Sequence, residues 1–126
     1  MKEVISTDEA PVAVGAYSQA TVTDGLVYTA GQVAITPDGQ HLDDRSVERQ
    51  TRQVLDNLES VLGAADCSTG DVLKTTVFLG DIEDYDAVND VYAEFFDDEP
   101  PARSAVAVAD LPAGFDVEIE AVATRE

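Results

Sequence analysis

Arg103 is the only basic residue between Lys74 and Arg125, and it opens a run of small side chains in Pro100-Pro101-Ala102-Arg103-Ser104-Ala105-Val106. A guanidinium held at a strand end presents a planar fork of donors that can grip a carboxylate at two points. The plain alternative is a surface ion pair with one of the chain's 26 acidic residues, a weak interaction in water. Composition leaves the two readings near even. Glu118 and Glu120 fall on one face of a strand whose other face carries Val117, Ile119, Ala121 and Ala123. Glu118 is either a structural partner or a base that activates water. Tyr17, in Gly15-Ala16-Tyr17-Ser18-Gln19, is open to reading as an ordinary half-buried aromatic.

Other chemistries lack their residues. His41 is the only histidine, lies in a polar turn region and has no partner in sequence, so it reads as a solvated loop residue. Cys67 is the only cysteine, which excludes an intrachain disulfide and cysteine-based metal sites, and no histidine lies near it to make it a nucleophile. Gly31, Gly39, Gly63 and Gly70 do not have phosphate-loop spacing. Serine or cysteine triads and metal sites are dismissed.

The elements that must position these residues follow from pattern. A short apolar start, Val4-Ile5, precedes two β-branched runs, Gln19 to Thr23 and Leu26 to Val33, joined by the turn dipeptide Asp24-Gly25. Pro37-Asp38-Gly39 makes a further turn. Ser46 caps a predicted helix running to about Ala64, with Val47, Thr51, Val54, Leu58, Val61 and Leu62 on one stripe. Val72 to Leu79 is a strand by composition. Asp84 to Phe96 is a second amphipathic helix, with Tyr85, Val88, Tyr92 and Phe95 on its stripe, stopped by Pro100-Pro101. Arg103 to Ala109 and Phe115 to Thr124 close the chain as strands. The order ββ-α-β-α-ββ predicts an α+β fold, a sheet with both helices on one face. The uncovered, partly apolar face then calls for oligomerisation.

The chain's 126 residues suit one domain, 1–126, and 44% hydrophobic content is too high for a disordered acidic tail. A net charge of −19 repels the phosphates of nucleic acid and anionic lipid surfaces alike. No apolar run reaches the roughly 18 residues of a membrane span, and Met1-Lys2-Glu3-Val4-Ile5 lacks the apolar stretch of a signal peptide. A cytoplasmic protein is expected. Lysine is confined to Lys2 and Lys74, and aspartate outnumbers glutamate. This resembles the composition of proteins that work in molar salt, where a Debye length of about 3 Å removes self-repulsion.

Seven short motifs occur in order: Gly15-Ala16-Tyr17-Ser18-Gln19, Thr29-Ala30-Gly31-Gln32, Leu55-Asp56-Asn57-Leu58, Lys74-Thr75-Thr76-Val77-Phe78-Leu79, Asn89-Asp90-Val91-Tyr92, Pro101-Ala102-Arg103-Ser104 and Val117-Glu118-Ile119-Glu120-Ala121. Each alone is weak. Together they resemble the reactive intermediate deaminase family, also called Rid or YjgF, over essentially the whole chain. The resemblance implies a chorismate-mutase-like fold, a homotrimer whose sheets form an inner barrel, and ligand sites in the subunit clefts. It also implies hydrolysis of 2-imino acids such as 2-iminobutanoate and 2-iminopropanoate to 2-oxo acids and ammonia, with no cofactor. Arg103 matches the family arginine that binds the substrate carboxylate, and Glu118 the glutamate that orients or activates water. Tyr17 matches the tyrosine lining the cleft, and Gly31 a position whose backbone borders the ligand. Ala30, Ala105 and Asn89 fall at further substrate-binding positions.

This chain departs from the family's usual residues at four places. Ala30 stands where many members have serine, Ala105 where many have cysteine, and Ala16 and Ala34 replace frequent prolines. The first two changes remove side-chain hydrogen-bonding groups and put rate or substrate preference in doubt. The main alternative is a non-catalytic trimer that binds small carboxylic acids in the same arginine pocket. A ribonuclease role is disfavoured by the acidity, and chorismate mutase chemistry by a pocket with one arginine for a dianion.

Overall fold

The computed structural model describes all 126 residues. Strand β1 (Glu3–Ile5) is followed by β2 (Ala20–Thr23) and β3 (Leu26–Thr29), then by α1 (Val47–Ala64) and β4 (Val72–Leu79). Helix α2 (Tyr85–Phe95) and strands β5 (Ala102–Ala107) and β6 (Val117–Thr124) complete the chain. All six strands form one sheet in the order β1-β2-β3-β6-β4-β5. Its pairs are antiparallel except β4 with β5, which run parallel because α2 carries the chain back over the sheet between them. This is the expected α+β architecture, with two helices packed on a mixed sheet.

Alternation along β6 decides what faces the helices. Val117, Ile119, Ala121 and Ala123 are buried, while Glu118, Glu120 and Val122 between them keep partial solvent contact. Thr75, Val77 and Leu79 of β4 pair with Ala121, Ile119 and Val117, so both strands give the same face to the core. Val54, Leu55, Leu58, Val61 and Leu62 of α1 and Val88, Val91 and Tyr92 of α2 fill it. The opposite face is uncovered. Val4, Tyr28 and Val106 are exposed there, beside the two β6 glutamates.

The helix boundaries have local causes. Ser46 Oγ accepts the Arg49 N–H at 3.1 Å and caps α1 as expected. Asp81 accepts the Glu83 N–H at 2.9 Å and starts a short 3₁₀ turn, Ile82–Asp84, which leads into α2. Asp24 and Gly25 both take positive φ, the requirement of the tight β2–β3 hairpin turn.

Three expectations need correction. The N-terminal apolar pair is part of a true strand, since Glu3–Ile5 pairs with Ala20–Val22. The strand expected over Leu26 to Val33 stops at Thr29. Pairing with β6 resumes only at Gln32 opposite Ile119, so Thr29, Ala30 and Gly31 stand opposite Ala121 and Glu120, a bulge of one residue. Thr29 Oγ1 takes the Ala121 N–H at 2.9 Å, which the ladder would otherwise have satisfied. The stripe of α2 is also shifted: Val88, Val91, Tyr92 and the following Phe96 are buried, whereas Tyr85 is exposed.

Candidate active site

The residues singled out in the sequence fall into two clusters on opposite faces of the sheet. Arg103 pairs with Thr75 in the parallel β4–β5 ladder and shares its helix-side face. Glu118 pairs with Phe78, whose face is the uncovered one. Within one chain no cleft contains both.

Around Arg103 the sequence of α2 sets the geometry. Tyr85, Asn89 and Tyr92 recur at i, i+4 and i+7, which places them on one helix face. Arg103 Nη1 donates to Asn89 Oδ1 at 2.8 Å and Nη2 donates to the Tyr85 hydroxyl at 2.6 Å. The guanidinium carbon lies 4.7 Å from the Tyr92 ring centre and 5.4 Å from that of Tyr85. Tyr92 is itself fixed, because its hydroxyl shares a 2.7 Å hydrogen bond with Thr75 Oγ1 inside the core. Burial pushes the Tyr92 phenol up, which keeps it neutral. Arg45, Arg52 and Arg125 are ion-paired with Asp44, Glu94 and Glu3, but Arg103 has no carboxylate within 4.0 Å. Both of its side-chain acceptors are neutral. The surface ion pair is therefore not what this arginine makes. A cleft of about 330 Å³ lies beside it, lined by Asn89, Tyr92, Phe96 and Pro101 among others. Ala105 is on the same strand face and packs against the core.

The second cluster surrounds Glu118. A cleft of about 450 Å³ is lined by Tyr17, Ala30, Gly31, Val33, Phe115 and Glu118 among others. Burial, and then the charge of Glu120, push the Glu118 carboxyl above the ordinary glutamate range. The bulge at Ala30 and Gly31 brings backbone against this carboxylate. A Cβ on Gly31 would stand 2.2 Å from Glu118 Oε2, so only glycine permits the approach. Tyr17 is exposed, and its hydroxyl accepts the Val14 N–H at 3.4 Å. The strandless segment that carries it is anchored by buried Gln19, which binds both the N–H and C=O of Thr7 and the C=O of Pro11.

Buried amides on α1 hold the walls of this second cleft. Asn57 Nδ2 donates to the carbonyls of Val33 at 3.3 Å and Ile35 at 2.9 Å, and Gln53 donates to Asn57 Oδ1 at 2.9 Å. Gln50 exchanges two 2.9 Å hydrogen bonds with Asp116, fixing the chain just ahead of Glu118. Sequence pattern assigns these amides no role at the site and puts Tyr85 on the apolar stripe; the i, i+4, i+7 spacing around Asn89 is the signal that links Tyr85 to Arg103 instead. His41 is exposed, as expected. Cys67 is buried, its thiol contacts the carbonyls of Ala65 and Thr124, and burial pushes it up, away from the thiolate. No group of three or more His, Cys, Asp or Glu side chains is arranged to hold a metal ion. No helix is long and apolar enough to cross a membrane.

A mixed six-stranded sheet with two helices on one face and a neutral-braced arginine at its edge defines a chorismate-mutase-like α+β protein. The model of the family described as endoribonuclease L-PSP matches residues 7–125, and the chain belongs to that family, the one also called Rid. It is 44% identical to the 2-iminobutanoate/2-iminopropanoate deaminase of Rattus norvegicus over 99% of this chain and 91% of that protein. A RutC family protein of Pyrococcus horikoshii is 45% identical over the full length of both. The crystal structure of E. coli TdcF with bound serine superimposes with a TM-score of 0.93 at 39% identity, covering 98% of this chain and 99% of that one.

Proposed function

We propose that this protein hydrolyses reactive 2-imino acids, 2-iminobutanoate and 2-iminopropanoate among them, to 2-oxo acids and ammonia, acting in the cytoplasm as a homotrimer. The observation that carries the reading is Arg103: a guanidinium braced by two neutral acceptors, without an ion pair, in a chain of net charge −19. Such a group is kept available for an anion that arrives from outside. The relatives named as imine deaminases supply the substrate class.

The chemistry asks little beyond what the two clusters hold. The protonated imine carbon is electrophilic. Arg103 grips the substrate carboxylate and supplies orientation. Glu118, kept partly desolvated, takes a proton from a water molecule as its oxygen bonds to the imine carbon, giving a tetrahedral amino alcohol. Glu118 returns that proton to nitrogen and then takes the hydroxyl proton as the C–N bond breaks, so ammonia leaves and the hydroxyl becomes the oxo group. Tyr17, Ala30 and Gly31 border the ligand on the Glu118 side, Asn89 and Ala105 on the Arg103 side. Because the two clusters occupy opposite faces of one sheet, the trimer is the arrangement that brings Arg103 of one subunit toward Glu118 of another. The exposed apolar side chains on the uncovered face support the same assembly.

The direct test is a coupled assay. Threonine dehydratase and threonine generate 2-iminobutanoate, and semicarbazide traps what remains. Adding this protein is expected to abolish most of the trapped product. Unchanged trapping, with 2-oxobutanoate still bound in calorimetry, would instead support the non-catalytic carboxylate-binding trimer. The RNA activity in the family's name is opposed here by the acidic surface.

A further inference from the structure

The Tyr85 hydroxyl is the one exposed group in either cluster that touches Arg103 directly and has no role in the proposal above. A free guanidinium turns about its last side-chain torsion and offers any of five N–H donors. Here Asn89 holds one terminal nitrogen and Tyr85 holds the other. Two acceptors on two different nitrogens fix the plane, while the fixed Tyr92 ring at 4.7 Å supports one face. Three N–H donors are left, enough for a two-point grip on a single carboxylate. Asn89 alone would leave the plane free to rotate about that one hydrogen bond.

We propose that Tyr85 is a positioning residue that locks the plane of the Arg103 guanidinium for one ligand carboxylate. The inference rests on the carboxylate-binding role of Arg103 proposed above. Tyr85 acts on binding: it strengthens a contact present in both the bound substrate and the transition state, and so lowers KM without raising kcat. Tyr85→Phe retains the ring and its position against the cation while removing the acceptor. Loss of one charge-assisted hydrogen bond is expected to weaken carboxylate binding about tenfold.

The test uses the full chain and two readouts. Calorimetry with 2-oxobutanoate, which needs no turnover, is expected to show a Kd about tenfold higher for Tyr85→Phe. The imine assay is expected to show KM raised to the same degree, kcat within about twofold and an unchanged melting temperature. In an Arg103→Lys background the same change is expected to alter Kd by less than about twofold, because an ammonium has no plane to lock. Equal loss in the arginine and lysine backgrounds would overturn the proposal, as would a Tyr85→Phe protein that binds 2-oxobutanoate like the parent. A parent protein that binds 2-oxobutanoate without hydrolysing imines would overturn the proposed activity and leave Tyr85 to be judged on the binding series. A parent that does neither would overturn both.

Discussion

The Arg103 and Glu118 clusters handle charge in opposite ways. At Arg103 the fold supplies neutral acceptors and aromatic faces, so the cation is held in a fixed geometry without being neutralised. At Glu118 the fold supplies partial burial, a like-charged neighbour and a backbone pressed against the carboxylate, so the anion is made costly. A held cation suits recognition of an anion. A destabilised anion suits proton transfer, because its proton affinity is brought toward that of the reacting water's surroundings. Under the proposed function the two clusters divide binding from chemistry, and substitutions should separate the two.

Arg103→Ala is expected to produce the largest loss, about three orders of magnitude or more in kcat/KM, since the proposed two-point grip on the substrate carboxylate is removed whole. Arg103→Lys should recover little of it, because a point charge does not reproduce the fork. Steady-state kinetics with near-parental values for Arg103→Lys would break the recognition half of the comparison.

On the other side of the sheet, Glu118→Gln is expected to lower kcat by roughly two to four orders of magnitude while carboxylate binding, measured by calorimetry, stays within a few-fold. Glu120 is the control: it shares the uncovered face of β6, but it lines neither cleft. If Glu120→Gln does the greater damage to kcat, the water base has been assigned to the wrong carboxylate.

A smaller effect should follow from Gly31→Ala. The new methyl would stand 2.2 Å from Glu118 Oε2 and 2.8 Å from its Cδ. The side chain is the softer partner, so the carboxylate moves and the backbone stays. Misplacement by about 1 Å lowers turnover by up to about a hundredfold. Circular dichroism and melting should change little. A loss of folded protein instead would show that the bulge, and not the carboxylate, gives way.

These variants also mark what was legible in the chain. The amphipathic helix from Ser46 and the alternation of Val117, Ile119, Ala121 and Ala123 follow from apolar periodicity, because burial of those side chains is what the period reports. Arg103 and Glu118 stood out as residues, but their roles came from the resemblance of seven motifs. Gln50 and Gln53 lie in none of the seven motifs, and Asn57, which lies in one, has no role legible there: a buried amide and a solvated one look alike until the carbonyls of Val33 and Ile35 and the Asp116 backbone are in place. The break in β3 is not legible because Thr29-Ala30 continues a plausible strand, and the bulge shows only in the register between Tyr28–Val122 and Gln32–Ile119. Tyr85 was placed on the apolar stripe, whereas its hydroxyl serves a partner 18 residues away.

The smallest expected effect is on stability, and its sign distinguishes a destabilised anion from an ordinary surface one. Burial raises the Glu118 carboxyl above its usual 4.5 in the folded protein, so the folded state binds a proton more tightly than the unfolded chain does. The contribution of this group is therefore most favourable below about pH 4.5 and is lost as pH rises through the raised value. At neutral pH the ionised side chain opposes folding. Glu118→Gln replaces it with a neutral group of the same shape, so the variant should melt higher than the parent at pH 7, by a few degrees at most because the group is half exposed. The difference should close as pH is lowered toward 4.5, where the parent's own carboxyl takes up its proton. Glu120→Gln removes the like-charged neighbour and should raise the melting temperature less. Thermal melts of the three proteins between pH 4 and pH 8 measure this directly. A Glu118→Gln protein that melts below the parent at pH 7 would mean that the carboxylate is stabilised by its surroundings, and the contrast between a held cation and a costly anion would fail on its second half.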